Sequence, residues 1–344
     1  MTTTFTTSNT LNEIMRQAGR EMCLFFSPAF LSFIPEEYWD IPLSQWAENY
    51  LMPWGLPFPM AQLLENANML QYADEYWDWV PLWTDDAGLT FHTNDANSVA
   101  LMIPKGQPEG VCPAVIICPG GAYEELAFYN EGYLTARRMQ EAGYRTFVLN
   151  YRYSPNRWPI PQVDLACAIQ HVRANAERYQ IMPDNLMILG YSAGGHLCAS
   201  TAALWREIAP ALREEIKACR PELVETYGEI PIRPDKVCLG YPVISFGEEA
   251  HERSFQNLSG GDESLREHLS IEKQVRGDYP KTFVWACADD SMVPASNAVR
   301  MDQALTEQNV PHKFHLYPTG EHGCYLAIGT SAEGWVDEML TFMK

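Results

Sequence analysis

A serine hydroxyl is a weak nucleophile until the backbone lifts it clear of the surrounding chain and a base takes its proton. Gly190-Tyr191-Ser192-Ala193-Gly194 has the composition for the first of these tasks. The apolar residues 186–189 lead into it and the helix-compatible GGHLCASTAALW follows. In that setting the glycines permit a tight strand-to-helix turn that presents Ser192 above a helix N-terminus. The same pentapeptide pattern also arises as a plain Gly-rich turn, and it is the flanking strand and helix that give it weight.

The base and the acid that orients it are expected farther along, at strand ends, in the order Ser, acid, His. Residues 282–288 form an apolar run that ends in Asp289-Asp290-Ser291-Met292-Val293-Pro294, where Pro294 suits the start of a helix. Residues 313–318 end in Thr319-Gly320-Glu321-His322-Gly323, a glycine-flanked loop that leaves an imidazole free. The acid is then one of the adjacent Asp289 and Asp290, and the base is His322. His196, inside the helix after Ser192, reads as a support for the turn, and His315, in mid-strand, as a packed or surface histidine.

Charge developing on a carbonyl oxygen needs fixed N–H donors. Residues 111–118 run into Pro119-Gly120-Gly121-Ala122-Tyr123, where adjacent glycines let the backbone approach a substrate closely. Gly121, together with Gly120, and the N–H of Ala193 are the expected oxyanion donors. Tyr123 and Tyr191 flank these segments and are expected to shape the substrate pocket. Glu131 is expected to satisfy N–H groups of the loop, and Arg152 with Asp164 to fix the loop between a strand and the next helix.

These groups need a scaffold of alternating strands and helices. Apolar runs of strand length, VCPAVIIC, YRTFVLNY, NLMILGY, KVCLGYPV, KTFVWACA and HKFHLYP, alternate with helical patterns, which predicts an α/β fold with a mostly parallel sheet. Leu89, Phe91 and Thr93, then Val99, Leu101 and Ile103, alternate with polar partners and predict an antiparallel strand pair at the start of the main domain. Residues 1–85 differ: Leu11, Ile14, Met15, Ala18 and Met22 recur at helical spacing, followed by a segment dense in Pro and Trp. We expect a helical, aromatic-rich extension at 1–85 and a catalytic domain at 86–344, with inserts near 207–235 and 244–280 placed as lids or pocket walls. Aromatics between residues 38 and 83, among them Trp39, Trp46, Trp54, Trp77, Trp79 and Trp83, read first as core or interface packing and second as a sugar platform. The extension is expected to reach over the active-site mouth of its own or a partner subunit and narrow the pocket, the second arrangement being that of a homo-oligomer.

Composition removes several classes of function. The 344 residues are 47% hydrophobic and 20% charged, ordinary globular usage that excludes a disordered or coiled-coil chain. No apolar run approaches the ~18–20 residues of a membrane span. A net charge of −20 repels phosphate backbones, so nucleic acid is not an expected partner. The nine cysteines are scattered and form no CxxC pair, which argues against a disulfide framework and against a zinc site. No metal or organic cofactor is expected. The N-terminal residues lack a basic stretch followed by an apolar one, and a cytoplasmic location is expected.

With PGGAY at 119–123, Glu131-Gly132, Tyr151-Arg152-Tyr153, Pro161 with Asp164, GYSAGGH at 190–196, DSMVP at 290–294 and GEHG at 320–323, the chain from about 98 to 343 resembles the α/β-hydrolase family, and within it the carbohydrate-esterase branch of acetylxylan esterase-like and feruloyl esterase-like proteins. Related lipases and kynurenine formamidases carry HGG where this chain has Pro119-Gly120-Gly121. The resemblance implies that Ser192, Asp290 and His322 are the triad, the D-x-x-V-P spacing choosing Asp290 over Asp289. It further implies a serine esterase that removes short acyl groups, acetyl above all, from plant-type oligosaccharides. A general short-chain carboxylesterase or peptidase with the same machinery is the second expectation, and a non-catalytic scaffold the third.

Overall fold

The structure, a computed structural model, describes residues 4–18, 21–26, 31, 34–46, 50, 58–91 and 93–344; Trp54 lies outside them. Eight strands form one sheet: β1 (Trp77–Pro81), β2 (Ala100–Pro104), β3 (Cys112–Cys118), β4 (Arg145–Asn150), β5 (Ile181–Tyr191), β6 (Lys236–Gly240), β7 (Lys281–Cys287) and β8 (His312–Tyr317). Their order is β1-β2-β4-β3-β5-β6-β7-β8. The pairs β1·β2 and β2·β4 are antiparallel and every other pair is parallel. Val115, Ile116, Ile117, Phe147, Val148 and Leu149 are consecutive and fully buried, as strands covered on both faces must be. The flanking helices include Thr135–Glu141, Ile160–Ala174, Ser192–Cys219, Ser296–Glu307 and Trp335–Met343.

The six expected apolar runs are the strands β3 to β8. The opening antiparallel pair differs from expectation. Its first strand is Trp77–Pro81, with Trp77 opposite Pro104 and Pro81 opposite Ala100, whereas residues 89–91 and 93–95 are outside any strand. Leu89 and Phe91 alternate with polar residues because they anchor a loop, buried without a ladder. The sheet therefore begins inside the segment read as an extension.

That segment is helical in part, and one of its helices, Leu11–Gln17, is closed by a reciprocal cap in which Thr10 Oγ1 accepts the Glu13 N–H and Glu13 Oε2 accepts the Thr10 N–H, both at 3.1 Å. Leu11, Ile14, Trp46, Leu63, Trp77 and Trp83 are buried in one cluster with the sheet's core. Its outer helices meet the segment after β3: the ring of Phe25 lies 5.4 Å from that of Tyr129 and 6.3 Å from that of Phe128.

The two inserts do different things. Residues 207–219 continue the helix that starts at Ser192, past a break at Leu204 and through Pro210. At ~1.5 Å per residue this places residue 207 roughly 20 Å from Ser192, too far to wall its pocket. The second insert packs on the loops after β3 and β4: Asn257 Nδ2 donates to the Ala122 carbonyl at 2.9 Å, and the Trp158 N–H donates to the Leu258 carbonyl at 2.9 Å.

Candidate active site

β3, β5, β7 and β8 are parallel, so their C-terminal ends share one edge of the sheet, and each releases one part of the site there. β5 ends at Tyr191, and Ser192 turns the chain directly into a helix at φ +52°, a left-handed conformation rare for a side-chain-bearing residue. The turn depends on glycine on both sides. A Cβ at Gly190 would stand 2.1 Å from the Gly194 carbonyl oxygen, and one at Gly194 would stand 2.1 Å from that of Cys118.

His322 Nε2 lies 2.9 Å from Ser192 Oγ, and His322 Nδ1 lies 2.7 Å from Asp290 Oδ2. The carboxylate accepts at Nδ1, which leaves the Nε2 lone pair for the serine proton. Asp290 is held in turn: its Oδ1 accepts the N–H groups of Met292 at 3.0 Å and Val293 at 2.8 Å. The following helix starts at Ser296, two residues later than Pro294 suggests. Asp289 points elsewhere, accepting the N–H groups of Gly320 and Glu321 and so tying the end of β7 to the loop that carries His322. Those N–H groups, Glu321 first, hold its carboxyl below the ordinary range. Such an arrangement can move a proton from Ser192 to His322 while Asp290 steadies the ring.

On the other side of Ser192, the loop after β3 closes on itself, the Ala127 N–H reaching the Gly120 carbonyl at 2.9 Å and the Glu124 N–H the Gly121 carbonyl at 2.9 Å. Gly120 departs from the expected role. Its N–H donates to Glu131 Oε2 at 2.6 Å and is therefore committed away from any substrate. Gly121 and Ala193 remain the candidate donors, and the Ala193 N–H sits in the first helical turn, where N–H groups have no intrahelical partner. Burial pushes the Glu131 carboxyl up, against the pull of the Gly120 N–H and the Tyr241 hydroxyl.

Tyr123 and Tyr191 do not shape a pocket. Both are fully buried; the Tyr123 hydroxyl meets His196 Nδ1 at 2.9 Å and the Tyr191 hydroxyl meets Thr135 Oγ1 at 3.1 Å. Their positions beside the two oxyanion segments are right, but their side chains point into the core. His196 Nε2 donates to the Leu269 carbonyl at 2.9 Å, so Nδ1 accepts from Tyr123, and burial of this neutral ring brings its pKa down to about 4. Arg152 and Asp164 form a buried pair at 2.7 Å, with Trp83 Nε1 donating to the same carboxylate at 2.7 Å. His315 Nδ1 lies 2.9 Å from Glu338 Oε2, away from the serine. Sequence reasoning missed Tyr241, whose ring lies 4.9 Å from that of His322. The signal was available: Tyr241 directly follows β6, at the same sheet edge as the other site residues. Among the described residues no group of three or more His, Cys, Asp or Glu side chains is placed to hold a metal ion.

A mostly parallel sheet that delivers serine, acid and histidine to one edge in that chain order defines an α/β-hydrolase. The sequence profile of the BD-FAE family matches residues 100–305, more than half of the chain, and the chain belongs to that family. It is similar to "Endo-1,4-beta-xylanase B" of Butyrivibrio fibrisolvens, 34% identical over 228 residues, which cover 64% of this chain and 34% of that protein. It is also similar to "Acetylxylan esterase" of Xylanibacter ruminicola, 29% identical over 217 residues, which cover 61% of this chain and 40% of the other. The chain thus spans less than half the length of either relative. Among solved structures it resembles an acetyl ester-xyloside bifunctional hydrolase of Caldicellulosiruptor lactoaceticus, with a TM-score of 0.66 and 30% identity, covering 77% of this chain and 94% of the other.

Proposed function

We propose that this chain is a serine esterase. The observation that carries the reading is the unbroken chain of contacts from Ser192 Oγ through His322 to Asp290, 2.9 and 2.7 Å long. His322 Nε2 takes the serine proton as Oγ attacks an ester carbonyl. The N–H groups of Gly121 and Ala193 hold the oxyanion, each such donor contributing ~10²–10³ in turnover. The tetrahedral species collapses to an acyl-serine, and the alcohol leaves with the proton from His322. Water then attacks, His322 again moves the proton, and the carboxylic acid is released while Asp290 holds the imidazole throughout.

The preferred substrate is a short acyl ester, acetyl above all, on xylo- or manno-oligosaccharides. The names of the two relatives and of the similar solved structure, all xylan- or xyloside-directed, support this. The free thiols of Cys112, Cys118, Cys167, Cys198, Cys219, Cys238, Cys287 and Cys324 support work in a reducing compartment such as the cytoplasm. No helix among the described residues is long and apolar enough to cross a membrane.

A second reading, a general short-chain carboxylesterase, is favoured by Met292, 58% exposed and two residues beyond Asp290, whose carboxylate its N–H contacts, which puts an apolar side chain beside the acid. Acetate release from acetylated xylan, mannan and pectin oligosaccharides, set beside turnover of p-nitrophenyl esters, separates the two. Preference for an acetylated oligosaccharide in kcat/KM supports the first; turnover of the simple esters alone sinks it.

A further inference from the structure

Glu131 is a buried carboxylate that the reaction as written does not use. It sits in a short π-helical segment, Phe128–Leu134, at 4% exposure, and each of its oxygens has a partner. Oε2 accepts the Gly120 N–H at 2.6 Å, and Oε1 accepts the Tyr241 hydroxyl at 2.9 Å. The Tyr241 oxygen in turn accepts the N–H of Tyr325, three residues beyond His322, at 3.1 Å, and the Tyr241 ring meets the His322 ring edge to face at 4.9 Å. On one side Glu131 thus fixes the Pro119–Gly120 peptide, one before the peptide that carries the Gly121 N–H. On the other it fixes the tyrosine against which the imidazole rests.

We propose that Glu131 is a positioning residue for the transition state: acting through Gly120 and Tyr241, it registers the oxyanion loop against the loop that carries the base. The inference rests on the serine-esterase reading. Two donors converge on Glu131, one at each oxygen, and a carboxylate offers an acceptor to each. Glutamine in its place matches its length, but the amide nitrogen faces one of the donors, so one contact is lost whichever way the group turns. The short π-helical segment is itself a costly local geometry of the kind found beside functional sites. It turns the chain back so that residue 131 reaches Gly120, eleven residues earlier.

The test compares Glu131→Gln, Tyr241→Phe and the double variant with the wild type, using p-nitrophenyl acetate, thermal unfolding and benzeneboronic acid, which becomes tetrahedral and anionic on an active serine. In Glu131→Gln we expect a cooperative unfolding transition, kcat lower by about 10²-fold, KM within about threefold, and boronate affinity falling in step with kcat/KM. Tyr241→Phe loses about tenfold, and the double variant loses little beyond Glu131→Gln alone, because the two act in one chain of contacts. If Glu131→Gln does not fold, Tyr241→Phe with boronate binding carries the test. A kcat within about threefold of wild type in folded Glu131→Gln, or boronate affinity unchanged while kcat falls, overturns the proposal. These results differ from failure of the esterase reading, which shows as activity that survives Ser192→Ala.

Discussion

The carboxylate of Asp289 accepts the backbone N–H of Glu321 at 3.0 Å, one residue before each of the two side chains, Asp290 and His322, that meet at 2.7 Å. Adjacent aspartates thus divide the work, one holding the base's loop and the other the base.

Asp290→Asn should lower kcat by about 10⁴-fold, since an amide at that position favours the wrong imidazole tautomer. Asp289→Asn leaves the Asp290–His322 contact in place and should lower kcat by about tenfold only, through a looser loop. Steady-state kinetics on a p-nitrophenyl ester check the contrast, and equal losses would contradict the division.

Asp289 also carries a pH signature. Its folded pKa is depressed, so its stabilising effect is present above the unfolded pKa of ~3.9 and is lost as pH falls through the folded value. Melting temperatures of wild type and Asp289→Asn should therefore differ near neutral pH and converge below about pH 4.

His196 is buried and His171 half-buried, each with a pKa brought down to about 4 by desolvation. His171 lies between the hydroxyls of Tyr227 and Tyr179, with Arg178 and Arg220 adding positive charge nearby. The unfolded chain binds these protons more readily, so stability is full above an unfolded pKa of ~6.5 and falls as pH drops toward 4. Each histidine contributes a slope of about 1.4 kcal/mol per pH unit within that window. Urea unfolding of wild type between pH 4.5 and 7.5 measures the slope, and His171→Gln should flatten it by about half.

A Cβ at Gly120 would stand 2.8 Å from Ser192 Cβ, 2.8 Å from the Tyr191 carbonyl oxygen and 2.9 Å from Glu131 Oε2. Nothing there is a flexible side-chain end in open space, so Gly120→Ala must displace the oxyanion loop. We expect turnover lower by about 10²-fold or more and a destabilisation of about 1–3 kcal/mol, read by kinetics and urea unfolding.

Truncation at residue 86 removes β1 together with buried Leu11, Ile14, Leu63 and Trp77. The remaining chain should be insoluble or melt lower by about 10 °C or more, as losing several core side chains requires. A truncated chain with wild-type stability would show that residues 1–85 are an appendage.

The parallel strands were legible because unbroken apolar runs such as residues 114–118, too short to form a buried helix, are what a strand covered on both faces requires. β1 was not, because Trp77, Trp79 and Pro81 read as an aromatic, proline-rich stretch, and their pairing with β2 is a tertiary fact. Ser192, His322 and the aspartate pair were legible through chain order and strand context. The direction in which Tyr123 and Tyr191 point was not, since being adjacent to the site in sequence leaves open which face of the backbone a side chain takes. Gly120 was misread for a related reason: Glu131 was legible as an acceptor for N–H groups of the loop, but the sequence leaves open which of those N–H groups faces the carboxylate, and it is Gly120's.

The most direct test of the serine mechanism is to trap the acyl-enzyme. Wild-type protein mixed briefly with p-nitrophenyl acetate, quenched in acid and mapped by peptide mass should carry its acetyl group on Ser192, and Ser192→Ala should carry none and lose about 10⁴–10⁶-fold in turnover. An acetyl group on another residue, or turnover unchanged by Ser192→Ala, would contradict the account.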